Sequence, residues 1–110
     1  MKPKMICESI ARNTGLAVDE GQLIWWERKG LLGNVARTDS KRRDYNSTNA
    51  SYCIMIVVSK LLRWDMKDLE ALIKDKDKTV KDKFIRDCKI LIDKLPEKLY
   101  DVLQDIDKLV

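Results

Sequence analysis

Four basic residues, Arg37, Lys41, Arg42 and Arg43, fall within seven positions and form the densest cationic cluster of the chain. Guanidinium groups bond phosphate oxygens in bidentate fashion, so a cluster of this kind suits a nucleic-acid backbone; the plainer reading is a solvated charged loop. Gln22 is a second candidate: glutamine can bond the edge of adenine through two hydrogen bonds. It also stands three residues after Asp19, where a capping box places Gln, and both roles stay open. Residues for catalysis are scarce. There is no histidine, so the usual acid-base group is missing, and neither a nucleophile elbow nor a glycine-rich phosphate loop occurs. An enzyme is not expected. Cys7, Cys53 and Cys88 are far apart and unpaired in spacing, which predicts free thiols, no bound metal and no cofactor. Asp75-Lys76-Asp77-Lys78 alternates charge but lacks the glycine and terminal glutamate of a calcium loop.

The elements that must carry these residues are short helices and one strand pair. Gln22 to Leu32 reads as a helix capped by Asp19 and stopped by Gly30. Leu23 and Trp26 share its apolar face, so Trp26 is expected inside and Trp25, about 100° away, more exposed. Arg28 and Lys29 fill its last turn. An earlier helix is expected over Cys7–Asn13, with Ile6, Ile10 and Ala11 as its apolar stripe, Ala11 allowing close helix approach and Thr14-Gly15 ending it. Residues 33–46 predict two short strands: Val35 and Arg37 open the first, Asp39-Ser40-Lys41 make the turn, and Arg43 to Tyr45 return. Ser47 or Thr48 should cap a third helix reaching Arg63, apolar nearly all round at Tyr52–Val58, with Cys53 as packing. Trp64 follows as an apolar plug. Asp65 should cap a fourth helix carrying Met66, Leu69, Leu72 and Ile73. From Thr79 a tail repeats Val80, Phe84, Cys88, Leu91 and Leu95, is broken at Pro96, and continues through Leu99, Val102, Leu103, Ile106 and Leu109.

Leu23-Ile24-Trp25-Trp26-Glu27-Arg28-Lys29-Gly30-Leu31-Leu32 resembles the signature of the MerR family of bacterial transcription regulators, Ile-Arg-Tyr-Tyr-Glu-Arg-x-Gly-Leu-Leu. Glu8 to Gly15 is similar to that family's first helix. Arg37 to Tyr45 is similar to its wing, Arg-x-x-x-Gly-Tyr-Arg-x-Tyr, with Lys41-Arg42 in place of Gly-Tyr. Leu61 to Leu69 aligns, without gaps counted from Tyr45, on Glu-Leu-Gly-Phe-Ser-Leu-x-x-Ile, with Arg63 in place of Gly. The resemblance covers about residues 6–73. Two departures stand out: the turn before the aromatic pair is about two residues longer, and Ile24 replaces the usual arginine.

The resemblance implies a mainly α fold: a winged helix-turn-helix head (residues 1–75) followed by a C-terminal amphipathic helical dimerisation tail (residues 76–110). It implies a sequence-specific DNA-binding transcription regulator, acting as a homodimer on a pseudo-palindromic promoter site, with double-stranded DNA and RNA polymerase as partners. Arg12, Gln22, Trp25, Arg28, Arg37, Lys41, Arg42, Arg43 and Tyr45 are the candidate DNA contacts. Phe84, Cys88, Leu91, Leu95, Leu99 and Leu103 are the candidate dimer contacts; the alternative is a tail folded back on its own head at Pro96. Two other functions fit: an excisionase-like architectural DNA-binding protein, and a protein-interaction adaptor without DNA readout, favoured by Ile24, Glu20 and the acidic tail. Charge is uneven. Residues 1–64 hold eleven Lys/Arg against six Asp/Glu, and residues 65–110 eleven against twelve, as for a polyanion-binding head on a partner-binding tail. No apolar leader follows Met1-Lys2-Pro3-Lys4-Met5, and the longest apolar run, Cys53–Val58, is too short for a membrane span. A cytoplasmic protein without membrane contact is expected.

Overall fold

The computed structural model describes residues 1–91, and the expected contacts Leu95, Leu99 and Leu103 lie outside them. The described residues are mainly helical: α1 (Pro3–Thr14), α2 (Glu20–Arg28), β1 (Ala36–Arg37), β2 (Arg43–Asp44), α3 (Ser47–Leu61), α4 (Met66–Ile73) and α5 (Lys78–Leu91). α1 starts four residues before the expected Cys7. Pro3 occupies its first turn, where a missing N–H costs nothing and the fixed φ is already helical. Ile6 and Ile10 are buried, and the buried Thr14 hydroxyl donates to Ile10 O at 2.6 Å and accepts from Leu16 N–H. The stripe thus runs at every fourth residue, and Ala11 is exposed rather than at a helix contact.

α2 begins with the expected capping box: Gln22 N–H donates to Asp19 Oδ1 at 2.7 Å and Asp19 N–H to Gln22 Oε1 at 3.2 Å. Leu23 and Trp26 are buried while Trp25 is 45 % exposed, as the phase of the helix predicts. The helix closes in a Schellman motif, with Gly30 N–H on Glu27 O and Leu31 N–H on Trp26 O and Gly30 at φ +75°.

β1 and β2 pair antiparallel, with Ala36 opposite Asp44 and Arg37 opposite Arg43. Thr38 N–H donates to Arg42 O at 2.9 Å and Lys41 N–H to Thr38 O at 2.8 Å, which closes the loop. Met1 lies alongside the end of β2: its carbonyl accepts from Tyr45 N–H and its amino group donates to Asp44 Oδ1 and Tyr45 O. These bonds bring Lys2 beside the hairpin loop.

The cap of α3 is Asn46, not Ser47 or Thr48. Asn46 and Asn49 exchange reciprocal side chain–backbone bonds, both at 2.9 Å. Asn49 is buried, and its amide also donates to Leu32 O at 2.7 Å and Asn34 O at 3.1 Å, so one side chain both starts α3 and ties down the irregular segment preceding the hairpin. Tyr52 to Ile56 and Val58 are buried, as expected for the central helix. α3 also ends in a Schellman motif, with Arg63 N–H on Lys60 O and Trp64 N–H on Ser59 O; here the left-handed position is Arg63, φ +61°. Asp65 caps α4 by accepting from Asp68 N–H at 2.8 Å.

α5 corrects one expectation. Phe84 is 0 % and Cys88 5 % exposed, in one cluster with Leu69 and Leu72. Phe84 meets Trp64 edge to face at 5.3 Å, and Trp64 Nε1 donates to Asp87 Oδ2. The head does cover this stripe, because the chain turns back directly after α4, so Phe84 and Cys88 are core residues rather than dimer contacts. No helix among the described residues is long and apolar enough to cross a membrane.

Candidate nucleic-acid interface

The outward face of α2 carries Trp25, Arg28 and Lys29, all exposed. The Lys29 ammonium sits 5.1 Å from the centre of the Trp25 ring, where the ring quadrupole attracts a cation. Arg12 is exposed in the last turn of α1.

The basic cluster of the hairpin divides into two sets. Arg37 and Arg43 face each other across the strands, where like charges repel. Glu27 of α2 relieves that repulsion. Its Oε1 accepts from Arg37 Nη2 at 2.7 Å and its Oε2 from Arg43 Nε. The Glu27 side chain is only 11 % exposed, and its hydrogen bond holds the Arg43 guanidinium above its usual pKa. Lys41 and Arg42 are exposed and make no ion pair among the described residues. Together with Lys2, Pro3 and Arg43 they line an open recess of about 390 Å³. Lys41 sits at φ +61°, so the loop takes a left-handed residue without glycine.

Two expected contacts move elsewhere. Tyr45 is 2 % exposed: two residues past Arg43 in an extended strand, it shares the inward side. Burial pushes its phenol up to about 12. Tyr45 is therefore corrected from DNA contact to core. Gln22 commits its oxygen to the cap, so a bidentate contact with adenine requires opening the first turn of α2. The structure thus gathers Lys41, Arg42 and Lys2 at the recess with Arg43 on its edge, sets Trp25 beside Lys29, and ties Arg37 and Arg43 to Glu27 while Arg37 stays exposed. Glu27, Lys2 and Lys29 were not singled out from sequence. Glu27 carried a signal: it follows the buried Leu23 by four residues, so helical phase sets a carboxylate beside the buried face.

Among the described residues no group of His, Cys, Asp or Glu is arranged to hold a metal ion. The three thiols are free. Burial pushes Cys53 and Cys88 up to about 12 and raises Cys7 less. Comparison with family models, curated proteins and solved structures finds no match for this chain.

Proposed function

We propose that this chain is a DNA-binding transcription regulator of MerR type, with α1 and α2 as a helix-turn-helix and the hairpin as its wing. The observation that carries the reading is backbone geometry. Lys41 and Arg63 both hold left-handed φ, and these are two positions where the resembling family pattern carries glycine. A left-handed backbone is costly for any other L-residue, so the agreement does not come from side-chain chemistry. The element order of helix, helix, hairpin and two further helices supports the same reading. So does the five-residue connection 15–19 between α1 and α2, which accommodates the longer turn.

In this reading α2 enters a major groove with Trp25, Arg28 and Lys29 on its outward face, while Lys41, Arg42 and Lys2 grip the adjoining backbone. The twofold contact then falls to Leu91, Leu95, Leu99 and Leu103 of the sequence stripe, since Phe84 and Cys88 are occupied. A promoter in the cytoplasm and an engaged RNA polymerase remain the implied setting. The test is a salt titration. Lys41→Ala with Arg42→Ala should weaken binding to every duplex and flatten the log–log salt slope by up to about 1.8, at about 0.9 per phosphate contact. An unchanged slope refutes the assignment of the loop to phosphate.

One observation favours a second reading, the excisionase-like architectural protein: α5 buries its apolar stripe on its own chain, as a monomer requires. That reading predicts DNA bending by single copies, measurable by energy transfer between the ends of a labelled duplex.

A further inference from the structure

We infer that Glu27 is a positioning and specificity-determining residue for duplex binding: it withholds Arg37 and Arg43 from phosphate and fixes the hairpin on α2. The inference rests on the DNA-binding reading above. Glu27 lies in the last turn of α2, where an acidic side chain opposes the helix dipole. Nothing in the helix itself favours a carboxylate there. Two guanidinium partners do, one on each carboxylate oxygen. The strands they come from are two residues long, too short to define an orientation alone. With the carboxylate replaced by an amide, Arg37 and Arg43 repel across the ribbon and the hairpin loses its hold on α2. With the Glu27 carboxylate in place, itself only 11 % exposed against 46 % for Arg37 and 27 % for Arg43, a phosphate must displace one charge-assisted bond to take either arginine.

The consequence is a division of labour. Phosphate contact is confined to Lys41 and Arg42 in the loop, Lys2 beside it, and Arg28 and Lys29 on α2. Their spacing is set by the Glu27 clamp, so only a backbone path that satisfies both groups binds well. Releasing the clamp adds two mobile cations that any duplex can use. Affinity for random DNA then rises, and discrimination falls.

The experiment compares wild type, Glu27→Gln, Glu27→Asp, Arg37→Gln and Arg43→Gln on a selected duplex and a scrambled one, titrated from 50 to 200 mM salt. Glu27→Gln should steepen the slope by up to about 1.8, an added loss of about twelvefold over that range for two freed contacts. It should also narrow the selected-to-scrambled ratio and speed amide exchange at Thr38 and Lys41. Glu27→Asp should restore the wild-type slope. Arg37→Gln and Arg43→Gln should leave the slope unchanged, since in wild type Glu27 holds both guanidiniums; these two variants judge the inference even where Glu27→Gln does not fold. A slope flattened by about 0.9 in either arginine variant overturns it, as does a Glu27→Gln slope equal to wild type. If wild type binds no duplex, the DNA reading fails and this inference with it; wild-type binding with equal slopes throughout overturns the inference alone.

Discussion

Arg63 offers a test of the backbone geometry that underlies the functional reading. It occupies the left-handed position of the motif that ends α3; its side chain is exposed and makes no ion pair among the described residues. For a residue with a Cβ, left-handed φ costs about 1–2 kcal/mol. Replacement by glycine removes that cost but adds about 0.5–1 kcal/mol of backbone entropy in the unfolded chain. Arg63→Gly should therefore stabilise by about 0.5–1 kcal/mol. For a domain of this size that is a rise in Tm of roughly 2–8 °C. Arg63→Val should do the opposite, because a β-branched residue is poorly tolerated at positive φ. Thermal and urea unfolding followed by tryptophan fluorescence measure both. A lower Tm for Arg63→Gly would refute the reasoning. Lys41→Gly should behave likewise in stability and yet weaken DNA binding, separating backbone strain from phosphate contact.

Other outcomes follow from packing and ionisation. Trp26→Ala should cost about 3–5 kcal/mol, the range for a buried large aromatic, while Trp25→Ala should cost no more than about 1 kcal/mol, chiefly its contact with Lys29; urea unfolding compares them. Cys53 and Cys88 have pKa values of about 12 in the fold against the ordinary 9.0, so the unfolded chain ionises first. Their contribution to stability is full below pH 9 and is lost as pH rises from there through about 12, with Tyr45 adding to the loss above pH 10. Denaturation midpoints should fall over that window, and at pH 8 an alkylating reagent should modify the half-buried Cys7 well before the other two thiols. Leu99→Asp with Leu103→Asp should convert a dimer to a folded monomer in sedimentation, whereas Phe84→Asp should unfold the head.

Much of the fold was legible because it follows from local rules. The Asp19–Gln22 box, the inside and outside tryptophans, the Asp65 cap and the buried run in α3 all depend on residues within one or two helical turns. Two boundaries went astray where local signals tie or mislead: Asn46, Ser47 and Thr48 are all good caps, and Asn46 wins because Asn49 completes a box with it; Pro3 starts α1 although Lys2 and Lys4 flank it with charge. The candidate site was harder to read. Composition marks four cations near one another, but which of them are held in ion pairs depends on Glu27, ten residues from Arg37 and sixteen from Arg43. Tyr45 matched a pattern of contact residues, yet strand alternation from Arg43 turns it inward. The stripe of α5 announced that something must cover it without saying what, and α4 with Trp64 does so.

The most direct measurement is equilibrium binding of the full chain, by fluorescence anisotropy at about 150 mM salt, to a duplex chosen by selection from random sequence and to a scrambled duplex of equal composition. A sequence-specific regulator should prefer the selected duplex by at least about a thousandfold, with affinity falling steeply as salt is raised. Equal affinity for both duplexes, or binding that vanishes at this ionic strength, would contradict the regulator reading and leave the adaptor that has kept the fold without DNA readout.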